Sequence, residues 1–233
     1  TNTIILGLVW YAVFLVSAIV HEAAHALVAF RLGDRTAYHG GQVTLDPIPH
    51  IRQEPMGMIL FPIVSYFLGG WMLGWASCPY DPMWAERNPK SAGKMALAGP
   101  VSNLILMFAA LIFIKIMVFA NVFIEPDSIQ FPVVAQAAEP GFAHSLALFA
   151  GITFGLNLLL FLFNLMPVPP FDGFAGLALI LDSRTYSSFK QKMYQTQGIS
   201  IIGFIIAWNV FPFIFKPIYN LALIILYPDV KYG

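Results

Sequence analysis

The sequence predicts an all-α polytopic membrane protein, built from a three-helix core, a re-entrant or broken segment and C-terminal helices. Of the 233 residues, 58% are hydrophobic and only 10% are charged. A soluble domain is nearer half apolar and a quarter charged. Apolar runs long enough to cross a bilayer alternate with polar or Pro-rich loops. Lys and Arg gather in three of these loops and are absent from a fourth, a pattern typical of membrane proteins.

Composition also excludes several classes of function. The net charge is zero, so the chain has no basic field that would attract nucleic acid. The single cysteine, Cys78, excludes an internal disulfide and a cysteine-rich metal site. The chain starts at Thr1 without a methionine, so further N-terminal residues are expected. Its first segment lacks the basic region of a removable signal peptide.

Helix one is predicted from about Ile4 to Arg31. At about 1.5 Å per residue, a helix of this length crosses a bilayer. Gly33, between Arg31 and Arg35, is a plausible stop signal.

Residues 36–57 are polar and rich in turn-forming residues. Within them, Gly41–Leu45 is predicted to form a short strand that ends at Asp46 and Pro47. His39 and His50 lack the spacing of metal ligands, so they are interpreted as surface histidines near the membrane interface.

The apolar run over residues 59–75 is interrupted by Pro62 and by Gly69-Gly70. About 17 residues barely suffice to span a bilayer, so a broken or re-entrant segment is expected.

Three further hydrophobic segments follow. They are helix two at about Ala92–Ala120, helix three at about Ala143–Leu165, and a Pro-interrupted stretch at about Ile199–Tyr227 that is one broken helix or two. The whole chain, 1–233, is predicted to be a single membrane-embedded domain. Its core covers about 4–182 and its C-terminal helices about 198–228.

The positive residues predict the orientation. Three loops, after helix one, before helix two and after Leu181, hold nine of the twelve Lys and Arg residues: Arg31, Arg35, Arg52, Arg87, Lys90, Lys94, Arg184, Lys190 and Lys192. The loop over residues 121–141 holds none. The positive-inside rule therefore places the three basic loops in the cytosol and the 121–141 loop outside. These placements are consistent only if residues 59–75 cross the membrane an even number of times, which favours a re-entrant segment.

The motif His21-Glu22-Ala23-Ala24-His25 lies within helix one. Histidines at i and i+4 share one helical face and suit two ligands of a single zinc ion. Glu22 projects beside them, where it can act on a metal-bound water. Because an ionisable group at membrane depth costs about 2.5–3.5 kcal/mol, this cluster indicates a functional site.

A catalytic zinc usually has three protein ligands, and HEAAH provides two. The predicted topology places Asp172, just beyond helix three, at a depth similar to that of His21 and His25. The prolines before Asp172 unwind the chain and free its carboxylate. The alternative, a simple Asp-Gly turn after a breaker, is less favoured because the two histidines need a third ligand.

Three motifs in order resemble those of site-2 proteases, the intramembrane zinc metalloproteases. These are HEAAH in a membrane helix, Ala98-Gly-Pro-Val-Ser-Asn103, and Asn164-Leu-Met-Pro-Val-Pro-Pro-Phe-Asp172-Gly173. The resemblance covers about Ser17 to Asp182. The segment from Thr44 to His50, and Gly74-Trp-Ala76 before a Pro-rich loop, look like the short prokaryotic form. No PDZ or CBS domain is visible, so a minimal catalytic core is expected.

The resemblance implies the roles of individual residues. His21, His25 and Asp172 would bind one Zn²⁺, and Glu22 would be the catalytic glutamate. Asn164, and with less specific support Asn103, would help to position substrate. The resemblance also suggests that the segment near Gln42–Leu45 pairs with an unwound substrate, although an ordinary surface hairpin is an equal alternative.

The expected function is thus hydrolysis of peptide bonds in or near transmembrane segments of membrane proteins. The expected partners are a transmembrane protein substrate and the lipid bilayer, and no nucleic acid. The expected location is a prokaryotic cell membrane, with the active site toward the cytosol. Two alternatives remain open: a metal transporter, which should carry a second ligand-rich helix, and a catalytically inactive site-2-protease-like scaffold.

Overall fold

A computed structural model describes residues 3–126, 129, 131 and 133–228, and it is predominantly helical. The helices are α1 (Thr3–Arg31), α2 (Thr36–His39), α3 (Pro47–Gln53), α4 (Phe61–Gly69), α5 (Pro82–Arg87), α6 (Pro89–Phe119), α7 (Phe142–Asn164), α8 (Asp172–Gly176), α9 (Ser183–Gln195) and α10 (Ile199–Leu226). A π-helical turn (Met56–Leu60) precedes α4, and a 3₁₀ turn (Leu177–Leu179) follows α8. The two strands are β1 (Phe123–Ile124) and β2 (Gln136–Ala137). The all-α polytopic fold class is confirmed.

Four of these helices, α1, α6, α7 and α10, are long and apolar enough to cross a membrane. Even α7, with 23 residues, extends about 35 Å, which exceeds a hydrocarbon core of about 30 Å. Helix α6 packs against both α1 and α7, and α1 also contacts α7, so these three helices form the core. Helix α10 packs on α7 and α6.

The predicted re-entrant segment is a hairpin. Helix α4 runs along α1 until the Tyr66 hydroxyl donates to the carbonyl of Thr3, at the first turn of α1 (2.7 Å). A left-handed Gly70 then turns the chain into a return segment, residues 70–81, without helix or strand. The Ser77 hydroxyl of this segment donates to the Glu54 carboxylate (2.6 Å), so the chain leaves the hairpin where it entered.

The return segment ends beside the last turn of α1. There the backbone N–H of Asp81 donates to the Asp34 carboxylate (2.9 Å). The hairpin therefore begins and ends toward the Arg31 end of α1, as the predicted topology requires.

The predicted strand at Gly41–Leu45 was wrong, since these residues form bends. Gly41 adopts a positive φ of 72°, and the N–H of Gln42 donates back to Ala37 in a turn. Asp46 caps α3 by accepting from the N–H of Ile48 (3.0 Å). Turn and cap chemistry at both ends thus outweighs the alternating sequence pattern.

The two histidines of this region differ from each other. His39 is exposed, as predicted, whereas His50 is buried with 1% of its surface accessible. The interpretation of His50 as a surface residue was therefore wrong, because α3 packs against α1.

The loop over residues 121–141 contains a small antiparallel sheet that pairs Phe123 with Ala137 and Ile124 with Gln136. Four residues of this loop, at positions 127, 128, 130 and 132, lie outside the described part. At the same end of the bundle, the ammonium of Lys115 on α6 donates to the carbonyl of Ile225 on α10 (2.8 Å).

The segment after Leu181, expected as a loop, contains helix α9. The Asp182 carboxylate begins it by accepting from the N–H groups of Arg184 and Thr185 (3.1 and 3.0 Å). The rings of Tyr186 and Phe189 then pack on Phe174 of α8.

The C-terminal stretch forms one continuous helix, α10, with Pro212 and Pro217 inside it. Membrane helices tolerate such prolines because neighbouring groups satisfy the freed carbonyls.

Candidate metal centre

The two histidines of HEAAH face the interior of the bundle. His21 and His25 lie one turn apart on α1, and both are buried. Their rings approach edge to face with centroids 4.6 Å apart. A Cβ atom on Gly99 of α6 would fall within contact distance of both Nε2 atoms. Any residue with a Cβ at position 99 would therefore occupy the space beside the two nitrogens in which a metal ion could bind.

Asp172, the first residue of α8, joins the two histidines. Its Oδ2 lies 3.2 Å from Nε2 of His21 and 3.4 Å from Nε2 of His25. Ligands bound about 2.0–2.2 Å from a tetrahedral zinc are separated by about 3.3–3.5 Å, so these spacings fit one ion. The three side chains are called the His–Asp cluster below.

Gly173 brings Asp172 to this place. A Cβ on Gly173 would collide with the backbone of Leu165 and the carbonyl of Met166. Glycine thus allows α8 to fold back tightly against the end of α7, which turns the preceding carboxylate toward α1.

The protonated nitrogen of His21 is determined by a chain of amides. Asn157 must donate its Nδ2 to the carbonyl of Thr153 (2.8 Å), since a carbonyl only accepts. Its oxygen therefore accepts from Asn103 Nδ2 (2.8 Å). The Asn103 oxygen in turn faces Nδ1 of His21 (2.5 Å), which must carry the proton. The lone pair of Nε2 is then free to bind a metal ion.

His25 follows the same rule. Its Nδ1 lies 2.8 Å from the carbonyl of Met95 on α6, so this nitrogen donates and Nε2 keeps its lone pair. Both histidines thus present the ligating nitrogen toward Asp172.

Glu22 lies next to these ligands and is buried, with 6% of its surface exposed. Its carboxylate and the ring nitrogens of His21 and His25 offer ligand atoms within 4.8 Å of one another. The Asp172 side chain is 23% exposed, compared with 6% for His25, so the cluster opens on the Asp172 side.

Comparison with known proteins agrees with this geometry. The model of peptidase family M50 matches residues 9–208. The chain belongs to peptidase family M50. This membership confirms the resemblance to site-2 proteases found in the sequence.

Several curated relatives of the M50 chain are similar in sequence. This chain is 35% identical over 194 residues to the "Putative zinc metalloprotease YwhC" of Bacillus subtilis, a match that covers 82% of this chain and 76% of YwhC. It is 31% identical over 166 residues to the "Putative zinc metalloprotease Rip2" of Mycobacterium tuberculosis, with 70% of this chain and 54% of Rip2 covered. The chain thus spans little more than half of Rip2. No solved structure matches it significantly.

The remaining candidate of this M50 chain, Asn164, is the last residue of α7. Its amide donates to the Leu160 carbonyl of its own helix (3.1 Å) and is half-buried. Its role in substrate positioning stays a prediction. Asn103 faces Nδ1 of His21, and its role in substrate positioning also stays a prediction.

Sequence reasoning missed the supporting role of three groups: Asn157, Ser17 and the Met95 carbonyl. Asn157 is fully buried and donates to the hydroxyl of Ser17 (2.9 Å). A polar amide within an apolar helix was the available signal for Asn157. The role of the Met95 carbonyl could not be predicted, because every residue carries a backbone carbonyl and the sequence does not show which one faces His25.

Proposed function

We propose that this M50 protein is an intramembrane zinc metalloprotease. The observation that carries the proposal is the position of Asp172, whose Oδ2 lies within 3.4 Å of Nε2 of both HEAAH histidines. In this proposal His21, His25 and Asp172 hold one zinc ion, and Glu22 is the catalytic base.

The chemistry of the donors supports zinc. Two imidazole nitrogens and one carboxylate are a common catalytic set for this metal, and they leave a fourth position open. Both imidazoles have the other nitrogen held by an oxygen acceptor, as zinc-binding histidines do. The names of the relatives YwhC and Rip2 point to the same metal. When bound, zinc supplies Lewis acidity that activates water and polarises a carbonyl.

Glu22 has the placement of a general base. Its buried carboxylate lies beside the cluster and would take a proton from the attacking water. It would then pass this proton to the amine nitrogen that leaves as the peptide C–N bond breaks.

The surroundings of the cluster favour a membrane-protein substrate. His25 lies six residues, or about 9 Å, from the Arg31 end of a helix long enough to cross the bilayer. A transmembrane helix hides its peptide bonds in intrahelical hydrogen bonds, so the substrate has to unwind near the site. The partly exposed Asp172 side would admit water and the unwound segment.

The charge distribution favours a cell-membrane protein whose site faces the cytosol. The ends of α1 and α6 near the cluster carry Arg31, Lys90 and Lys94, and Arg35 follows α1, whereas residues 121–141 contain no Lys or Arg. The whole chain would act as one membrane-embedded domain.

Cleavage of a single-span reporter tests the proposal. The reporter carries an apolar segment with a central helix-breaking Gly-Pro pair and is reconstituted with the protein in liposomes. We expect the protein to cleave the reporter, with cleavage stopped by a chelator and restored by zinc. The Glu22→Gln variant should retain bound metal but lose cleavage. The matched control is Glu86→Gln, since Glu86 is exposed on α5 and should leave cleavage intact. Undiminished cleavage by Glu22→Gln would overturn the mechanism.

A further inference from the structure

His50 is a buried histidine outside the His–Asp cluster. Only 1% of its surface is exposed. Its Nε2 lies 3.0 Å from the carbonyl of Thr44. A carbonyl only accepts hydrogen bonds, so Nε2 carries the proton and Nδ1 of the neutral ring keeps a lone pair. This Nδ1 is inaccessible to solvent and has no hydrogen-bond partner.

Such an atom needs an explanation. Buried polar atoms in folded proteins almost always have a partner, and an unpaired acceptor lowers stability. The hydrogen bond to the Thr44 carbonyl needs only a donor, so it does not explain why the side chain also carries the acceptor Nδ1. The unpaired Nδ1 thus indicates a partner that arrives from outside.

The position of His50 indicates where that partner binds. Helix α3, which carries His50, packs against α1, and the His50 ring lies within electrostatic range of Glu22. The unpaired nitrogen therefore belongs to a ring near the base of the proposed reaction.

The same region has a second unpaired acceptor. Gln42 is 1% exposed, and its Oε1 has no partner. Its amide Nε2 donates to the carbonyl of Ser77 in the return segment (3.4 Å). The neighbouring residue, Cys78, is close enough to interact electrostatically with Glu22 and Asp172.

Two buried acceptors in the region between α1 and the hairpin match the chemistry of an unwound peptide. A helix that unwinds releases backbone N–H donors, and in an apolar environment these must find acceptors. We propose that His50 Nδ1 accepts a hydrogen bond from a backbone N–H of the unwound substrate next to the scissile bond. This inference rests on the proposed protease function and assigns His50 as a substrate-binding residue.

Two substitutions of His50 separate this role from a structural one. His50→Asn keeps an acceptor near the position of Nδ1 and loses the bond to Thr44. His50→Gln keeps a donor near the position of Nε2 and loses the acceptor. Substrate binding by Nδ1 predicts that His50→Gln weakens binding by about 5- to 10-fold, the value of one hydrogen bond, while His50→Asn stays close to the parent. A purely structural role predicts the reverse order.

Binding is measured in the Glu22→Gln background, by fluorescence anisotropy of the labelled reporter peptide in nanodiscs. This binding measurement does not require cleavage. Failure of the His50 proposal can therefore be distinguished from failure of the protease proposal. Zinc content should be the same in both His50 variants, and the melting temperature should be lower in His50→Asn, which loses the bond to Thr44.

The substrate side of the bond supplies the second test. A series of reporter peptides replaces single amides around the cleaved bond by esters, each of which lacks one N–H donor. One ester should bind the His50 parent about 5- to 10-fold more weakly, and His50→Gln should not weaken it further. Equal effects of every ester in both proteins, or a His50→Asn variant that binds as weakly as His50→Gln, would overturn the proposal.

Discussion

The amide oxygen of Asn103 lies 2.5 Å from Nδ1 of His21, although the two residues are 82 positions apart in sequence. This contact joins α6 to α1 and sets the tautomer of the ring. The amide of Asn103 is itself oriented by Asn157 on α7. The three core helices thus cooperate to present one nitrogen lone pair.

Replacement of Asn103 should weaken the metal site without removing a ligand. Asn103→Leu frees the His21 ring to rotate, so we expect the zinc dissociation constant to rise by about 10- to 100-fold. Competition with a fluorescent zinc chelator measures this constant. Asn164→Leu is the control, since Asn164 bonds only to its own helix. An unchanged affinity in Asn103→Leu would contradict the proposed orientation.

A methyl group at position 99 should exclude the metal. In Gly99→Ala the added Cβ falls within contact distance of both Nε2 atoms. We expect a folded protein that retains less than about a tenth of the bound zinc, measured by elemental analysis after gel filtration. Gly40→Ala is the control, because its Cβ would make only ordinary contacts. Full zinc occupancy in Gly99→Ala would show that the ion binds elsewhere.

The third ligand can be tested by charge removal. Asp172→Asn retains the shape of the side chain but loses the carboxylate, and we expect zinc affinity to fall by more than about 100-fold and cleavage to be lost. Asp182→Asn keeps the acceptor that caps α9 and should behave as the parent protein. Elemental analysis should find one zinc per parent chain. A second equivalent that survives in Asp172→Asn would contradict the single-ion site.

Asp34 should make stability depend on pH. Burial alone would raise the pKa of its carboxyl, but hydrogen bonds from the Thr36 hydroxyl and amide (2.6 and 2.9 Å) and from the Asp81 amide lower it. A lowered pKa stabilises the fold fully above the ordinary value of about 3.8, and this contribution is lost as the pH falls through the lowered value.

We therefore expect Asp34→Asn to be less stable than the parent by about 1–3 kcal/mol at pH 7, with a difference that shrinks below about pH 4. Thermal unfolding in detergent micelles, followed by tryptophan fluorescence between pH 7 and pH 3, measures it. A difference that stays constant over this range would be inconsistent with the lowered pKa.

The proposed orientation predicts which loops are accessible from outside. In a Cys78→Ser background, Glu125→Cys should react with a membrane-impermeant maleimide on intact cells. Arg184→Cys should react only after the membrane is permeabilised. Both positions are exposed in the structure, so accessibility of the side chain does not limit labelling. The opposite labelling pattern would place the metal centre on the outer side.

The long helices were predictable because each contains enough consecutive apolar residues to need a membrane. The predicted bounds of helix one, Ile4–Arg31, differ from those of α1 by one residue at its start. The hairpin at residues 56–81 followed from its breakers together with the charge of the flanking loops. Helix α9 was missed because most of its residues are polar. Its few apolar residues form a face only through their packing on Phe174, which the sequence does not show.

The sequence by itself determined the class of protein, the two histidines and the glutamate of α1, and the candidacy of Asp172, since these depend on composition and local spacing. Only the tertiary structure decided which nitrogen of His21 is free, because that depends on amides from α6 and α7. The tertiary structure also buried His50. Both outcomes depend on how helices pack, and packing brings together residues whose separation in sequence carries no signal.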